Sequence, residues 1–255
     1  GQHPRGWSGN RSHERKLKSY LIENYWYENY SGKLPALVKV PQLLFSDHNP
    51  PFQLLVMEDL ALSYPLLKSS CTYPEAKTVV KWLAQFHASY LGKNPEGLWN
   101  VGTYWHLETR PDELEKMTHF ALKNNAVAID KILNDCEFKT FVHGDAKLAN
   151  FCFSEDGKRV AAVDFQYVGG GCGMKDVAYF VGSCLDERAC ERLESQILDT
   201  YFEHLQNELV SRNDALETEW RSLYRVAWAD FHRFLKGWSP NHWKINSYSE
   251  RIITA

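Results

Sequence analysis

His143-Gly144-Asp145-Ala146-Lys147-Leu148-Ala149-Asn150 is followed, across Phe151-Cys152-Phe153 and the turn Glu155-Asp156-Gly157, by Val160-Ala161-Ala162-Val163-Asp164-Phe165. A polar loop here stands between short apolar runs, Thr140 to Val142 before it and Phe151 to Phe153 and Val160 to Phe165 after it, which the pattern predicts as strands. Phosphoryl transfer needs a carboxylate to orient and deprotonate an attacking hydroxyl, together with oxygen ligands for a magnesium ion that neutralises phosphate charge. Asp145 suits the first task. Asn150 across the same loop and Asp164, brought back by the hairpin, suit the second. A lone His-Gly-Asp carries little information, since Asp beside Gly is usually a turn. The later Asn and Asp at fitting positions carry more. His143 reads as a residue that holds the loop by hydrogen bonds rather than as a base.

The upstream half predicts a helix from Ser12, its candidate cap, to Tyr30, and a strand hairpin within Pro41 to Leu60 around Ser46-Asp47-His48-Asn49-Pro50-Pro51. An amphipathic helix follows Pro74, with His87 on its apolar face as a core histidine bonded through one ring nitrogen. One long helix is expected from Pro111 to about Cys136. Downstream, helices are expected over Asp176 to Leu185, Glu187 to Ser211 and Glu217 to Lys236. A small strand-containing region thus precedes a larger helical one, with the boundary near Leu60 to Ser70.

The chain has 255 residues, 44% of them hydrophobic, enough for a sizeable core. Its formal net charge of -3, with scattered Lys and Arg, argues against nucleic acid as a partner. Six cysteines form no Cys-x-x-Cys pair and read as reduced, in a cytoplasmic protein. No stretch is apolar for long enough to predict a membrane span, and the polar start does not resemble a signal peptide. Gly169-Gly170-Gly171-Cys172-Gly173-Met174-Lys175-Asp176 fails as a phosphate loop, because Met174 precedes the Lys and Asp176 replaces Ser or Thr; the glycines read as a tight, irregular turn. Lys39, in Val38-Lys39-Val40, reads as a surface residue. Trp99, Trp105, Trp220, Trp228, Trp238 and Trp243 are either core or the lining of an acceptor pocket, and sequence does not separate the two uses.

The pattern His143-Gly144-Asp145 to Asn150, with an apolar strand ending at Asp164, is similar to the aminoglycoside phosphotransferase and choline kinase superfamily, whose distant pattern protein kinases share. In more detail the chain resembles the ecdysteroid-kinase-like branch, from His3-Pro4-Arg5-Gly6-Trp7 through Tyr104-Trp105-His106-Leu107 to Val163-Asp164-Phe165-Gln166. The resemblance implies an α+β, protein-kinase-like, two-lobed fold: a partial small lobe over 1–62 and a helical lobe over 63–255. It implies ATP and Mg2+ as cofactors and a small hydroxylated acceptor, with the branch pointing to a steroid-like one. Asp145 then matches the catalytic base, Lys147 a lysine that approaches the transferred phosphate, and Asn150 and Asp164 the metal ligands. Glu23 matches the helix glutamate that pairs with a phosphate-binding lysine. Met57-Glu58-Asp59-Leu60 resembles the hinge that holds adenine, and Asp176 the aspartate that braces the catalytic loop.

The chain departs from that pattern before Glu23, where the roughly 20 residues hold neither a glycine-rich hairpin nor a lysine strand. Either those strands precede Gly1, which the lack of a starting Met favours, or the protein works without them. The competing expectation is therefore a non-catalytic, kinase-like protein that binds a nucleotide or another ligand. A protein kinase fits less well, because the segment after Asp164 reaches Asp176 in twelve residues and leaves little room for a peptide platform.

Overall fold

The computed structural model describes residues 10–48 and 52–254; the His3 to Trp7 motif and the Asn49 to Pro51 part of the expected turn lie outside them. Helix α1 runs Asn10–Asn29, so Ser12 falls inside it and is not its cap. Its inward face carries Ile22, Trp26 and Tyr27. The Trp26 ring lies 4.4 Å from Phe165 edge-on and 6.4 Å from Phe86 in a stacked arrangement. Burial of one such ring is worth about 3 kcal/mol, so α1 is fastened onto the segment that follows Asp164.

Strands β1 (Leu43–Asp47) and β2 (Leu54–Met57) form the expected antiparallel hairpin, with Asp47 opposite Leu54 and an irregularity between Leu43 and Phe45. Its apolar residues Leu44, Phe45, Leu54 and Val56 remain exposed. Beside it, Leu17, Leu21, Phe52 and Leu55 line an open apolar cavity of about 730 Å³. Lys39, expected at the surface, is half-buried. Its ammonium meets Glu58 at 2.5 Å, and its carbonyl accepts hydrogen bonds from Ala162 N at 3.1 Å and Trp82 Nε1 at 3.0 Å. Tertiary pairing with the segment that leads to Asp164, invisible in the local sequence, draws it inward.

Strand β3 (Leu66–Leu67) precedes helix α2 (Tyr73–Tyr90). Pro74 sits in the first turn of α2, and the Glu75 carboxylate accepts from the Thr72 backbone and hydroxyl at 2.7 and 2.8 Å. The single helix expected from Pro111 to Cys136 is two, α3 (Pro111–Lys116) and α4 (Phe120–Asn134). Met117 turns extended and buries its side chain, and His119 accepts from Leu122 N at 3.3 Å, capping α4. Helical periodicity continues through the break, which is why the sequence hides it.

Strands β4 (Thr140–Val142), β5 (Phe151–Phe153) and β6 (Val160–Ala162) bracket the polar loop as expected, with β5 central between β3 and β6. β6 ends before the expected Phe165 because Asp164 sits at φ 69°, a left-handed backbone that cannot continue a strand. The glycine run is also not a turn. Gly169–Gly171 is strand β7, paired antiparallel with β4 from Thr140↔Gly171 to Val142↔Gly169. The connection Trp99 to Gly102 lies directly on it, with Gly170 N donating to Trp99 O at 3.0 Å and Gly102 N to Gly170 O at 2.8 Å. A Cβ at Gly169 would stand 2.2 Å from the Trp99 carbonyl oxygen, so backbone-to-backbone packing requires the glycine.

Four helices complete the chain: α5 (Met174–Cys184), α6 (Glu187–Glu208), α7 (Asp214–Trp238) and α8 (Ser247–Thr254), the last not foreseen. Asp186 and Asn213 cap α6 and α7 by accepting from Ala189 N and Leu216 N. One continuous core joins α1, α2, the strands and α5 to α8. The fold is α+β and mainly helical, as the sequence implied. The six cysteines are free, and no helix of the described residues is long and apolar enough to cross a membrane.

Candidate active site

The loop between β4 and β5 is shaped by a buried aspartate on another element. Asp176, in the first turn of α5, accepts from His143 N at 2.5 Å and His87 Nε2 at 3.1 Å through one oxygen, and from Gly144 N at 3.0 Å through the other. His87 is a core residue as expected, but both its ring nitrogens are bonded, Nδ1 to the Tyr201 hydroxyl at 2.7 Å. His143 accepts at Nδ1 from Asp145 N (3.2 Å) and donates from Nε2 to the Val163 carbonyl (3.0 Å). Its neutral tautomer thereby ties the loop to the residue before Asp164. Gly144 turns at φ 80°, and a Cβ there would meet the Tyr167 carbonyl oxygen at 2.0 Å.

These constraints place Asp145 in the wall of a cavity of about 490 Å³. Its Oδ2 accepts from Lys147 Nζ at 2.6 Å and Asn150 Nδ2 at 3.1 Å. Its Oδ1 is buried and makes no hydrogen bond among the described residues, and the Tyr179 hydroxyl lies close to the carboxylate. Burial holds the Asp145 carboxyl above the ordinary carboxylate range, with the nearby Asp164 charge adding to the rise and Lys147 opposing it. Asn150 gives its amide nitrogen to both Oδ2 and the carbonyl of Asp145 (2.8 Å), which leaves its amide oxygen for another partner. Val163 N donates to Asn150 O at 3.0 Å, so the loop that carries Asp145 and the Asp164 turn are joined.

Glu23 reaches this region from α1 and accepts from Phe165 N at 3.1 Å. Burial first, then the Asp164 charge, push its carboxyl up to about 7 from 4.5. No lysine pairs with it among the described residues. Without divalent cations, the folded chain retains a proton on Glu23 between pH 4.5 and 7 that the unfolded chain has lost. Stability therefore falls as pH rises through that window, by at most about 3 kcal/mol. Glu23→Gln should match the wild type in urea unfolding at pH 5 and exceed it at pH 8. An equal difference at both pH values would show that Glu23 does not titrate there.

Of the hinge candidates, Met57 ends β2, Glu58 is held by Lys39 and by Gln42 N (3.1 Å), and Asp59 caps the following turn by accepting from Ala61 N at 2.9 Å. Leu60 is buried with Tyr64 and Ala161, and Val163 packs on that cluster, so the segment lies against the Asp164 hairpin. The structure also separates the tryptophans. Trp99, Trp105, Trp220 and Trp228 are core, whereas Trp238 and Trp243 line the cavity beside Asp145 together with Tyr104, Tyr179 and Lys244. No local signal marked Lys244, because only the packing of the segment after α7 brings it to this wall.

The side chains fit a divalent cation in their donor chemistry: a carboxylate at Asp164, an amide oxygen left over at Asn150, and repulsion of Asp164 with both Glu23 and Asp145 that a cation relieves. Among the described residues no three of His, Cys, Asp or Glu cluster for a metal. An ion here would complete its shell with water and phosphate oxygens, as magnesium commonly does.

The model of the Ecdysteroid kinase-like family matches residues 101–213, the span that carries this loop and hairpin. No curated protein matches the sequence. Among solved structures, the choline kinase LicA from Streptococcus pneumoniae is similar at TM-score 0.53 and 14% identity, over 98% of this chain and 82% of that one. The amicoumacin kinase hAmiN, solved with AMP-PNP, Ca2+ and Ami, is similar at TM-score 0.53 and 12% identity, over 96% and 76%. The microcompartment-associated aminopropanol kinase is similar at TM-score 0.50 and 16% identity, over 99% and 80%. At these identities the likeness shows a shared protein-kinase-like fold.

Proposed function

We propose that this chain, with the fold of small-molecule kinases, transfers the terminal phosphoryl group of ATP to a hydroxyl of a small, largely apolar acceptor. The observation that carries the reading is the Asp145 carboxylate, a wall residue of an aromatic cavity: one oxygen is pinned by Lys147 and Asn150, and the other is buried without a hydrogen bond among the described residues. Pinning Oδ2 fixes the rotamer and holds the carboxylate in the cavity wall, ready to accept the acceptor's hydroxyl proton. The raised pKa of Asp145 makes it a stronger base than an exposed carboxylate. Lys147, more than a third exposed, is placed to meet negative charge on the transferred group as Asp145 takes up the proton.

Asn150 and Asp164 would hold Mg2+, and the Met57 to Leu60 segment would hold adenine through its backbone. Bound Mg2+ supplies charge neutralisation at the phosphates. The small lobe over 1–62 and the helical lobe over 63–255 would divide nucleotide and acceptor binding between them.

The test is a transfer assay with ATP, Mg2+ and a panel of hydroxylated acceptors. Asp164→Asn is expected to lower turnover roughly 100-fold, equivalent to about 3 kcal/mol of lost charge stabilisation, with acceptor affinity retained. Wild-type turnover in Asp164→Asn would overturn the assignment. A second reading, a kinase-like binder without transfer, is favoured by Glu23 bonding to the Phe165 backbone in place of a lysine. It forecasts nucleotide binding independent of Mg2+ and no phosphorylated product in the same assay.

A further inference from the structure

Lys244 lies in the connection from α7 to α8, and that connection is firmly bonded. His242 N donates to Ser239 O at 2.9 Å, Ile245 N to His242 O at 2.9 Å, and Lys244 N to His242 Nδ1 at 3.2 Å. Asn246 and Ser249 then exchange hydrogen bonds, Asn246 N to Ser249 Oγ at 2.9 Å and Ser249 N to Asn246 Oδ1 at 3.0 Å, which anchors the segment to α8. The Lys244 side chain is directed into the cavity that holds Asp145. Its Nζ stands 4.3 Å from the Tyr179 ring centroid, 5.4 Å from Phe231 and 5.7 Å from Trp243.

Aromatic faces attract an ammonium, yet they return only part of the hydration it loses. Burial lowers the Lys244 pKa to about 8, with the Asp145 charge working against that fall. No carboxylate forms an ion pair with Lys244 among the described residues. The cavity wall carries Lys68, Lys147 and Lys244 against one carboxylate, Asp145. Lys68 is paired with Glu75 at 2.8 Å, and Lys147 with Asp145 at 2.6 Å. Lys244 is therefore the cation of this wall whose charge is left for a ligand, and a cationic acceptor would enter against it.

We propose that Lys244 is a specificity-determining residue that receives an oxyanion, a carboxylate or sulfate, borne by the flat apolar acceptor whose hydroxyl is presented to Asp145. The inference rests on the phosphotransferase reading for the hydroxyl and on the charge balance of the cavity for the anion. The aromatic rings take the skeleton, Lys244 takes the negative end, and aminated acceptors are rejected.

The experiment compares three probes on one skeleton: cholic acid, its methyl ester, and the amine that replaces its side-chain carboxylate. The same comparison with para-hydroxymethylbenzoate, its methyl ester and para-hydroxymethylbenzylamine removes dependence on size. Binding is measured by calorimetry on the full chain without nucleotide, and transfer is measured separately with ATP and Mg2+. In at least one series the acid should bind about 10-fold or more tighter than the ester, as a charge-assisted hydrogen bond affords, and the amine weakest. Lys244→Met, which keeps the bulk and removes the charge, should bring the acid down to the ester's affinity without moving the KM for ATP. Equal affinities of acid and ester in both series would overturn the proposal. So would a Lys244→Met variant that loses ATP affinity and keeps the preference for the acid, since the lysine would then serve the nucleotide. Lys244-dependent binding of the acid with no phosphorylated product would uphold the anion site and overturn the phosphotransferase reading.

Discussion

Asp145→Asn is expected to lower the turnover of phosphoryl transfer by about 10²- to 10⁴-fold, the range supplied by a positioned general base. The substitution preserves shape and can still accept from Lys147 and Asn150, so acceptor and nucleotide affinities should change little. What it removes is the proton affinity of the carboxylate. Folding should not suffer. Burial and the Asp164 charge hold the folded-state pKa of Asp145 above that of the unfolded chain. Such a carboxyl contributes stability below its unfolded pKa that is lost as pH rises through the folded pKa, and Asn does not carry that loss. Thermal unfolding at pH 7.5 should give a Tm equal to or above that of the wild type. Turnover at the wild-type rate by a folded Asp145→Asn protein would end the assignment of the base.

The second large effect is on stability. Asp176→Ala removes a fully buried carboxylate that accepts from His143 N, Gly144 N and His87 Nε2. Each buried donor left without an acceptor costs about 1–3 kcal/mol, so the variant should lose roughly 3–5 kcal/mol in urea unfolding. That is a large part of the roughly 5–15 kcal/mol that holds an ordinary domain together. Asp176→Asn, which keeps one acceptor oxygen, should lose about half as much. Because His143 ties the loop to Val163, surviving Asp176→Ala protein should also show reduced turnover. A loss under about 1 kcal/mol would mean that the loop is held by other contacts.

The residues of the loop were legible because their chemistry is local. Asp145, Lys147 and Asn150 lie on one short turn, and Asp164 returns on a hairpin whose Glu155-Asp156-Gly157 turn is written in the sequence. The longer helices were legible for the same reason, through apolar periodicity and capping residues. The glycine run misled because the demand on it is remote: Gly169 is needed where Trp99 crosses it, and local statistics assign such a run to a turn. The break at Met117 to His119 was missed because the apolar spacing continues across it, and Lys39 was missed because its partners, Glu58 and Ala162, stand far along the chain.

Periodicity, turn chemistry and short spacing act within a few residues, and they imply the α+β class and the set of oxygen-bearing side chains around the loop without any knowledge of packing. Packing alone sets which oxygen of Asp145 is left without a hydrogen bond, which tryptophans face the cavity and that Lys244 completes its wall. Those facts depend on desolvation and on contacts between α5, α7 and a loop about 100 residues away, and burial of that kind is a property of the packed chain.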